Sequence, residues 1–251
     1  MKQTSQLNQP RASQQAMSLI ELLVVISIIG ILAGLILPAV GIVKTKAKIT
    51  QTVKDMADIK GACNVYQHDY NRLPGSAPAS QIGADFTYGT TGTGYGTNIF
   101  NNNNVGYQAS NAELMVILTA SSFAGPPPYT PDPSVAGNAR NPRRTAYFNA
   151  KGSGGTAGAG LGTDGVMRDP WGSPYIVALD FNYDGWVSNS VYNANVVNGF
   201  NTGLVRQGGA GTSTWALKDS VMVFSFGPDA SFSDTSSANS PVNKDNVLSW
   251  K

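Results

Sequence analysis

The 251 residues leave room for one sizeable domain or two small ones. Only 13% are charged, against roughly 25% in an ordinary soluble domain, and 28 are glycine, so turns and loops outweigh salt-bridged surface helices. The net charge of +2 comes from 17 basic and 15 acidic residues with no long basic run, which argues against nucleic-acid binding. One cysteine, Cys63, excludes an internal disulfide or a multi-cysteine zinc site, and one histidine, His68, excludes a histidine-rich metal cluster and leaves little for a histidine-based triad.

Residues 1–16 are polar, with Lys2 and Arg11 their only charges. Leu22 to Val43 then carries no charge at all, and its 22 residues, at about 1.5 Å of helical rise each, reach about 33 Å, enough to cross a hydrocarbon core of about 30 Å. A secretory signal peptide has an apolar region of only about 7–15 residues; Ala39 and Gly41 imitate its cleavage site, but Pro38 and the length of the run argue for a membrane helix. Lys44, Lys46 and Lys48 follow the span as Lys2 and Arg11 precede it, so charge bias leaves orientation open.

Glu21 stands at the edge of this apolar run. A carboxylate there costs several kcal/mol, roughly 2.5–3.5 on insertion scales, unless it lies at headgroup depth or finds a partner. No Lys, Arg or His lies within one helical turn of it. A cut between Ala16 and Met17 would create an α-amino group, cationic at neutral pH, that a neighbouring copy could present to Glu21. It would also remove Lys2 and Arg11, leaving 15 basic against 15 acidic side chains.

Gly30 and Pro38 interrupt the apolar helix, and a kink or local unwinding is expected where proline removes an N–H. Gly30 and Gly34 form a small-xxx-small pair. Ile49, Val53, Met56, Ile59, Cys63, Tyr66 and Tyr70 then recur at steps of three and four, predicting an amphipathic helix that stops at Leu73-Pro74-Gly75. Cys63 and His68 read as a core thiol and an exposed imidazole. Residues 76–109 carry little regular signal and read as loop; their glycines at 88–96 do not fit a phosphate-cradling G-x-G-x-x-G. A short helix through about Thr119 follows, capped by Ser110 or Asn111. A Pro- and Gly-rich stretch spans 125–142, and 152–165 is mostly Gly, Ser, Ala and Thr. Tyr175–Leu179 predicts a strand, Asn182–Gly185 a turn with Trp186-Val187 returning as a hairpin, and Val221–Phe226 another strand.

The run Ala16-Met17-Ser18-Leu19-Ile20-Glu21-Leu22-Leu23-Val24-Val25-Ile26 resembles the class III signal of type IV pilins and type II secretion pseudopilins. The resemblance implies that prepilin peptidase cuts after Ala16 and N-methylates Met17. It implies that Glu21, the fifth mature residue, pairs with a neighbour's N-terminus during filament assembly, and that the stretch between Gly30 and Pro38 melts in the filament. Ala16 stands where the family usually has Gly, and Met17 where it usually has Phe. Asp169-Pro170-Trp171-Gly172-Ser173-Pro174-Tyr175 resembles a segment of the major pseudopilin of type II secretion; physically it is a Pro/Gly turn with a packing role. Ser225–Asp229 and Asp245–Trp250 resemble that family's C-terminal calcium loop, which implies calcium ligands among Asp229, Asp234, Asp245 and Asn246, the last standing where the family has Asp.

Asp180-x-Asn182-x-Asp184-Gly185 opens like an EF-hand loop, but position 12 is Val191 in place of the bidentate Glu, and the hairpin turn is the better reading. No G-x-S-x-G, H-E-x-x-H or P-loop is present and Glu21 and Glu113 are the only glutamates, so no catalytic constellation is found and no enzyme is expected.

The implied fold is α+β and pilin-like: a long N-terminal helix, membrane-spanning then amphipathic, packed on a small antiparallel sheet with long loops. The expected organisation is a leader at 1–16, a transmembrane and filament-core segment at 17–43, a helical spine at 44–73, and an extracytoplasmic globular part at 74–251 with insertions at 76–109 and 125–165 and a C-terminal loop at 227–251. The resemblance implies a subunit of a type II secretion pseudopilus, single-pass in the inner membrane and then in a periplasmic filament. Implied partners are further copies of itself, minor pseudopilins, prepilin peptidase, an inner-membrane assembly platform with its cytoplasmic ATPase, and lipid before assembly. Two alternatives are a surface type IV pilin for adhesion, motility or DNA uptake, whose usual C-terminal disulfide one cysteine cannot form, and a permanently anchored binding module or enzyme.

Overall fold

The computed structural model describes residues 18–81, 83–89, 110–121, 138–189, 192, 203–207, 214–233 and 236–251; the expected leader and Met17 lie outside them. The chain divides into two compact units, residues 1–44 and 45–251. The elements are α1 (Leu19–Tyr70), α2 (Ala77–Gln81), β1 (Phe86–Tyr88), α3 (Asn111–Thr119), β2 (Gly160–Leu161), β3 (Met167–Arg168), β4 (Ile176–Leu179), β5 (Val205–Gln207), β6 (Thr214–Ala216), β7 (Val221–Ser225) and β8 (Val247–Leu248).

The first unit, so far as described, is the apolar part of α1. Its large side chains from Leu19 to Val43 are exposed, and the helix is long and apolar enough to cross a membrane. The helix continues through Gly30 and Pro38 without a break, so the local unwinding expected there is absent from the single chain. Proline removes only one N–H from the ladder, and the bonds on either side hold the turn.

In the second unit, β4 and β7 form the centre of a four-stranded antiparallel sheet in the order β1-β4-β7-β8. Strand alternation sends Val177, Leu179, Val221 and Val223 into one cluster with Met56, Ile59, Cys63 and Tyr66 of α1 and Leu114, Met115 and Ile117 of α3. Ile176, Ala178, Met222 and Phe224 go to the other face, with Val187, Tyr192, Phe226 and the partly buried Trp215 and Trp250. Both faces are covered, which is why each central strand reads as an unbroken apolar run. Each fully buried Ile, Met or Phe contributes about 1.5–3 kcal/mol by leaving water. Two short antiparallel pairs are inserted between its strands in the chain order, β2 with β3 between β1 and β4, and β5 with β6 between β4 and β7. The result is the expected α+β architecture.

Three local expectations are corrected. Phe86–Tyr88, inside the stretch read as loop, is an edge strand of the main sheet with every residue buried. Three residues between glycines and polar residues are too short to show a period. Trp186-Val187 does not return beside Tyr175–Leu179: β4 pairs with β1 and β7, and Val187 bridges to Leu217 instead. The apolar stripe of α1 also begins late. Ile49 and Val53 are exposed, and Thr52 is the first fully buried residue, its hydroxyl bonded to the Lys48 carbonyl at 2.9 Å.

Candidate functional site

At the start of α1, Ser18 and Glu21 satisfy each other's backbone. The Ser18 N–H donates to Glu21 Oε2 at 2.8 Å and the Glu21 N–H donates to Ser18 Oγ at 3.3 Å. This is a capping box, and it occupies two donors that have no partner inside the helix. The pattern Ser-x-x-Glu ahead of an apolar run was readable as such a start. Glu21 therefore has a hydrogen-bond partner within its own chain, and among the described residues no ion pair to its carboxylate is formed.

The segment Asp169–Tyr175 is organised by Asp169, which is fully buried. Gly172 closes a four-residue turn onto the Asp169 carbonyl at 3.0 Å, with Pro170 second and Gly172, at φ +97°, fourth. Asp169 Oδ1 accepts the N–H groups of Trp171 and Ser173, both at 2.9 Å, and Oδ2 accepts the Ser225 hydroxyl of β7 at 2.6 Å. Burial pushes its carboxyl above the ordinary range against these bonds. Pro174 bridges back to Arg168. Tyr175 is buried and donates to Asp55 of α1 at 3.0 Å, while Trp171 lies under Lys48, 5.7 Å from the ring centre. The turn thus fastens the sheet to the helix.

In the C-terminal loop the Asp229 N–H donates to Asp245 Oδ2 at 3.3 Å, and Asn246 Nδ2 donates to Tyr192 at 2.7 Å. Gly227 holds φ +71°, and a Cβ there would lie 2.2 Å from the Asp245 carbonyl oxygen. Oδ1 of Asp245 and Oδ1 of Asn246 are buried without a hydrogen-bond partner. Asp234 lies outside the described residues. Among the described residues no three His, Cys, Asp or Glu side chains already gather as a metal cage; the two orphaned oxygens are the feature that fits a cation.

Several tertiary polar contacts gave no signal in the sequence. Arg168 and Asp164 form a buried bidentate pair at 2.9 and 2.6 Å. Burial raises the Asp164 carboxyl, but the guanidinium and the Val166 N–H outweigh it and leave it below its ordinary range. Tyr88 of β1 donates to the buried Glu113 of α3 at 2.9 Å. Asn111 takes both the Met167 and Tyr175 carbonyls on one amide and accepts the Met167 N–H. The Ser110 hydroxyl, the side-chain cap, accepts the Ala112 N–H. Cys63 is buried in the core with its thiol pushed well up by burial, and the His68 side chain is exposed.

Comparison with known proteins bears on the N-terminal part first. The prokaryotic N-terminal methylation motif matches residues 11–37. Type II secretion system core protein G of Klebsiella michiganensis is 39% identical over 64 residues, covering 26% of this chain and 45% of that protein. The proteins of the same name from Klebsiella pneumoniae and Pectobacterium carotovorum subsp. carotovorum are 38% identical over 61 residues, 24% of this chain and 44% and 39% of theirs. The chain spans less than half the length of the curated relatives it matches. No solved structure matches it. The chain thus carries a match to the N-terminal methylation motif and, over about a quarter of its length, is similar to type II secretion system core protein G.

Proposed function

We propose that the protein is a structural subunit of a type II secretion pseudopilus. The observation that carries this is the methylation motif over residues 11–37, which frames an acidic residue at the fifth position of the expected mature chain, on a helix whose apolar side chains from Leu19 to Val43 are exposed. Prepilin peptidase removes residues 1–16 after Ala16 and methylates the new N-terminus at Met17. The apolar helix holds the subunit in the inner membrane, in lipid, with the globular part outside the cytoplasm. Assembly exchanges that lipid for copies of the same helix in a periplasmic filament. The N-terminal amine of one copy meets Glu21 of the next, so the charge that the Ser18 N–H only hydrogen-bonds is neutralised between subunits. Gly30 and Pro38 mark where α1 opens on assembly.

Minor pseudopilins, the assembly platform and its cytoplasmic ATPase are the remaining partners of this reading. Function as a polymer needs no catalytic group. The C-terminal loop is held by its own hydrogen bonds and by a calcium ion on Asp245 and Asn246, with Asp229 and Asp234 completing the set. The test is filament assembly in cells from wild-type and Glu21→Ala protein. Wild type polymerises and the variant remains in the membrane; normal filaments from the variant overturn the role.

A further inference from the structure

The loop after β4 holds a carboxylate one of whose oxygens is buried without a hydrogen-bond partner. Asp180 is 2% exposed. Its Oδ2 accepts the Gly185 N–H at 2.9 Å, whereas Oδ1 is buried and has no hydrogen-bond partner. An orphaned acceptor of that kind costs roughly 1–3 kcal/mol, more when charged, unless something cationic takes it up. A second oxygen shares this condition. Asp85, just before β1, accepts the N–H and the hydroxyl of Ser188 on Oδ2 at 2.7 and 2.8 Å, and its Oδ1 is likewise buried without a partner. Burial, with the carboxylates of Asp180 and Asp184 adding to it, pushes the Asp85 carboxyl up to about 6. Three acids from two distant segments therefore feel one another, Asp180 buried, Asp85 partly buried and Asp184 exposed at the rim.

The spacing says what would relieve them. With Asp180 counted as the first position, Asn182 is third, Asp184 fifth, Gly185 sixth, the Trp186 carbonyl seventh and Ser188 ninth. A twelve-residue calcium loop takes its ligands from positions one, three, five, seven and nine, and needs glycine at six. Gly185 holds φ +83°. The bond from the sixth N–H to the first carboxylate leaves the other oxygen of that carboxylate free for an ion. Position twelve, Val191, cannot ligate through its side chain, and this is what made a hairpin the better reading of the sequence. The structure removes that hairpin, because Val187 bridges to Leu217 and not to β4. It also brings Asp85 onto the ninth residue, Ser188, from another part of the chain.

We propose that Asp180, Asn182, Asp184 and the Trp186 carbonyl form a calcium site in which Asp85 replaces the missing twelfth-position acid. As the chain stands, Asp184 is turned to the Trp186 N–H at 2.8 Å and to Asn182 Nδ2 at 3.0 Å, so the three carboxylates do not yet close round one point. The ion displaces the Asn182 amide nitrogen, and the Asn182 and Asp184 oxygens turn inward. This site is separate from the C-terminal loop and does not depend on the filament reading.

The test uses the full chain in detergent, stripped with chelator and titrated with terbium, a luminescent calcium substitute that accepts excitation from a nearby indole. Trp186 lies within the loop. The expected result is saturable emission that calcium displaces. In the part of the emission that Trp186→Phe removes, Asp85→Asn and Asp180→Asn each weaken the calcium displacement by at least about tenfold, Asp245→Asn leaves it unchanged, and in the Trp186→Phe protein calcium still raises the melting temperature. Without calcium both Asn variants melt no lower than wild type, since each neutralises a carboxylate that has one oxygen buried without a partner. If Asp180→Asn fails to fold, Asp85→Asn at its partly buried position carries the same comparison. Calcium displacement equal in wild type and Asp85→Asn, or lost only in Asp245→Asn, overturns the proposal.

Discussion

Ser18 and Glu21 exchange hydrogen bonds across the first turn of α1, the Ser18 N–H to Oε2 at 2.8 Å and the Glu21 N–H to Oγ at 3.3 Å. Glu21 therefore carries two separable properties, a helix-capping oxygen and a negative charge. Glu21→Gln keeps the oxygen and removes the charge; Glu21→Ala removes both. Pairing with a neighbour's amine predicts that both variants fail to assemble while both still insert in the membrane, scored by filament yield and membrane fractionation. Ser18→Ala costs the helix start about 1 kcal/mol and leaves assembly in place. Filaments from Glu21→Gln but not Glu21→Ala would show that the cap, and not the charge, is what assembly needs.

Asp169 gathers two turn N–H groups and the Ser225 hydroxyl of β7 on one carboxylate. Asp169→Ala strands all three in a buried place and is expected to cost about 3 kcal/mol. Asp169→Asn, which keeps one acceptor oxygen and lets the Ser225 hydroxyl turn to accept, is expected to cost less. Chemical denaturation of the two variants gives the comparison; equal losses would mean that packing of Trp171 and Tyr175, and not this carboxylate, fixes the turn.

The Asp164–Arg168 pair sets an acid limit on stability. The folded Asp164 carboxyl sits below its unfolded value, so its contribution is complete above the unfolded pKa of about 3.9 and is lost as pH falls through the lower folded value. Asp164→Ala leaves the Arg168 guanidinium buried without its partner, at about 3–5 kcal/mol near neutral pH. The gap in melting temperature between wild type and Asp164→Ala is expected to narrow below about pH 4. A gap constant across that range would remove the ion pair from the account. Replacing both residues with Leu and Met is expected to recover most of the loss.

The strands and helices that carry long apolar patterns were legible: Ile176–Leu179, Val221–Ser225, the short helix after Ser110, and the helical repeat through Met56, Ile59, Cys63 and Tyr66. What escaped reading was pairing over distance. Phe86–Tyr88 becomes a strand only because Val177–Leu179 offers it an edge, and no local period announces that. The turn at Asn182–Gly185 looked like a hairpin because Trp186-Val187 follows it, while the partner β4 takes is Val221–Phe224, over 40 residues further on. Of the candidate site, Glu21 was found by its anomalous charge, but its cap to Ser18 was passed over although Ser-x-x-Glu was in plain view. Asp85 could not have been found, since nothing in the sequence links it to Asp180 or Ser188.

The C-terminal loop closes on Gly227, whose φ of +71° and close approach to the Asp245 carbonyl leave no room for a side chain. Gly227→Ala is expected to lower the melting temperature by several degrees, a loss of about 2 kcal/mol or more. Calcium on Asp245 and Asn246 predicts a further separation: chelator lowers the melting temperature of wild type more than that of Asp245→Asn. An equal chelator effect on both proteins would take calcium away from this loop.

The central claim is that the chain works only after a new amine has been made at Met17 for Glu21 of the next copy. Intact-mass and N-terminal peptide mass spectrometry of protein purified from its native membrane tests it most directly. The account predicts a chain that begins at Met17 and carries one methyl group on its amine. A chain that still begins at Met1, or one cut near residue 40, would contradict it.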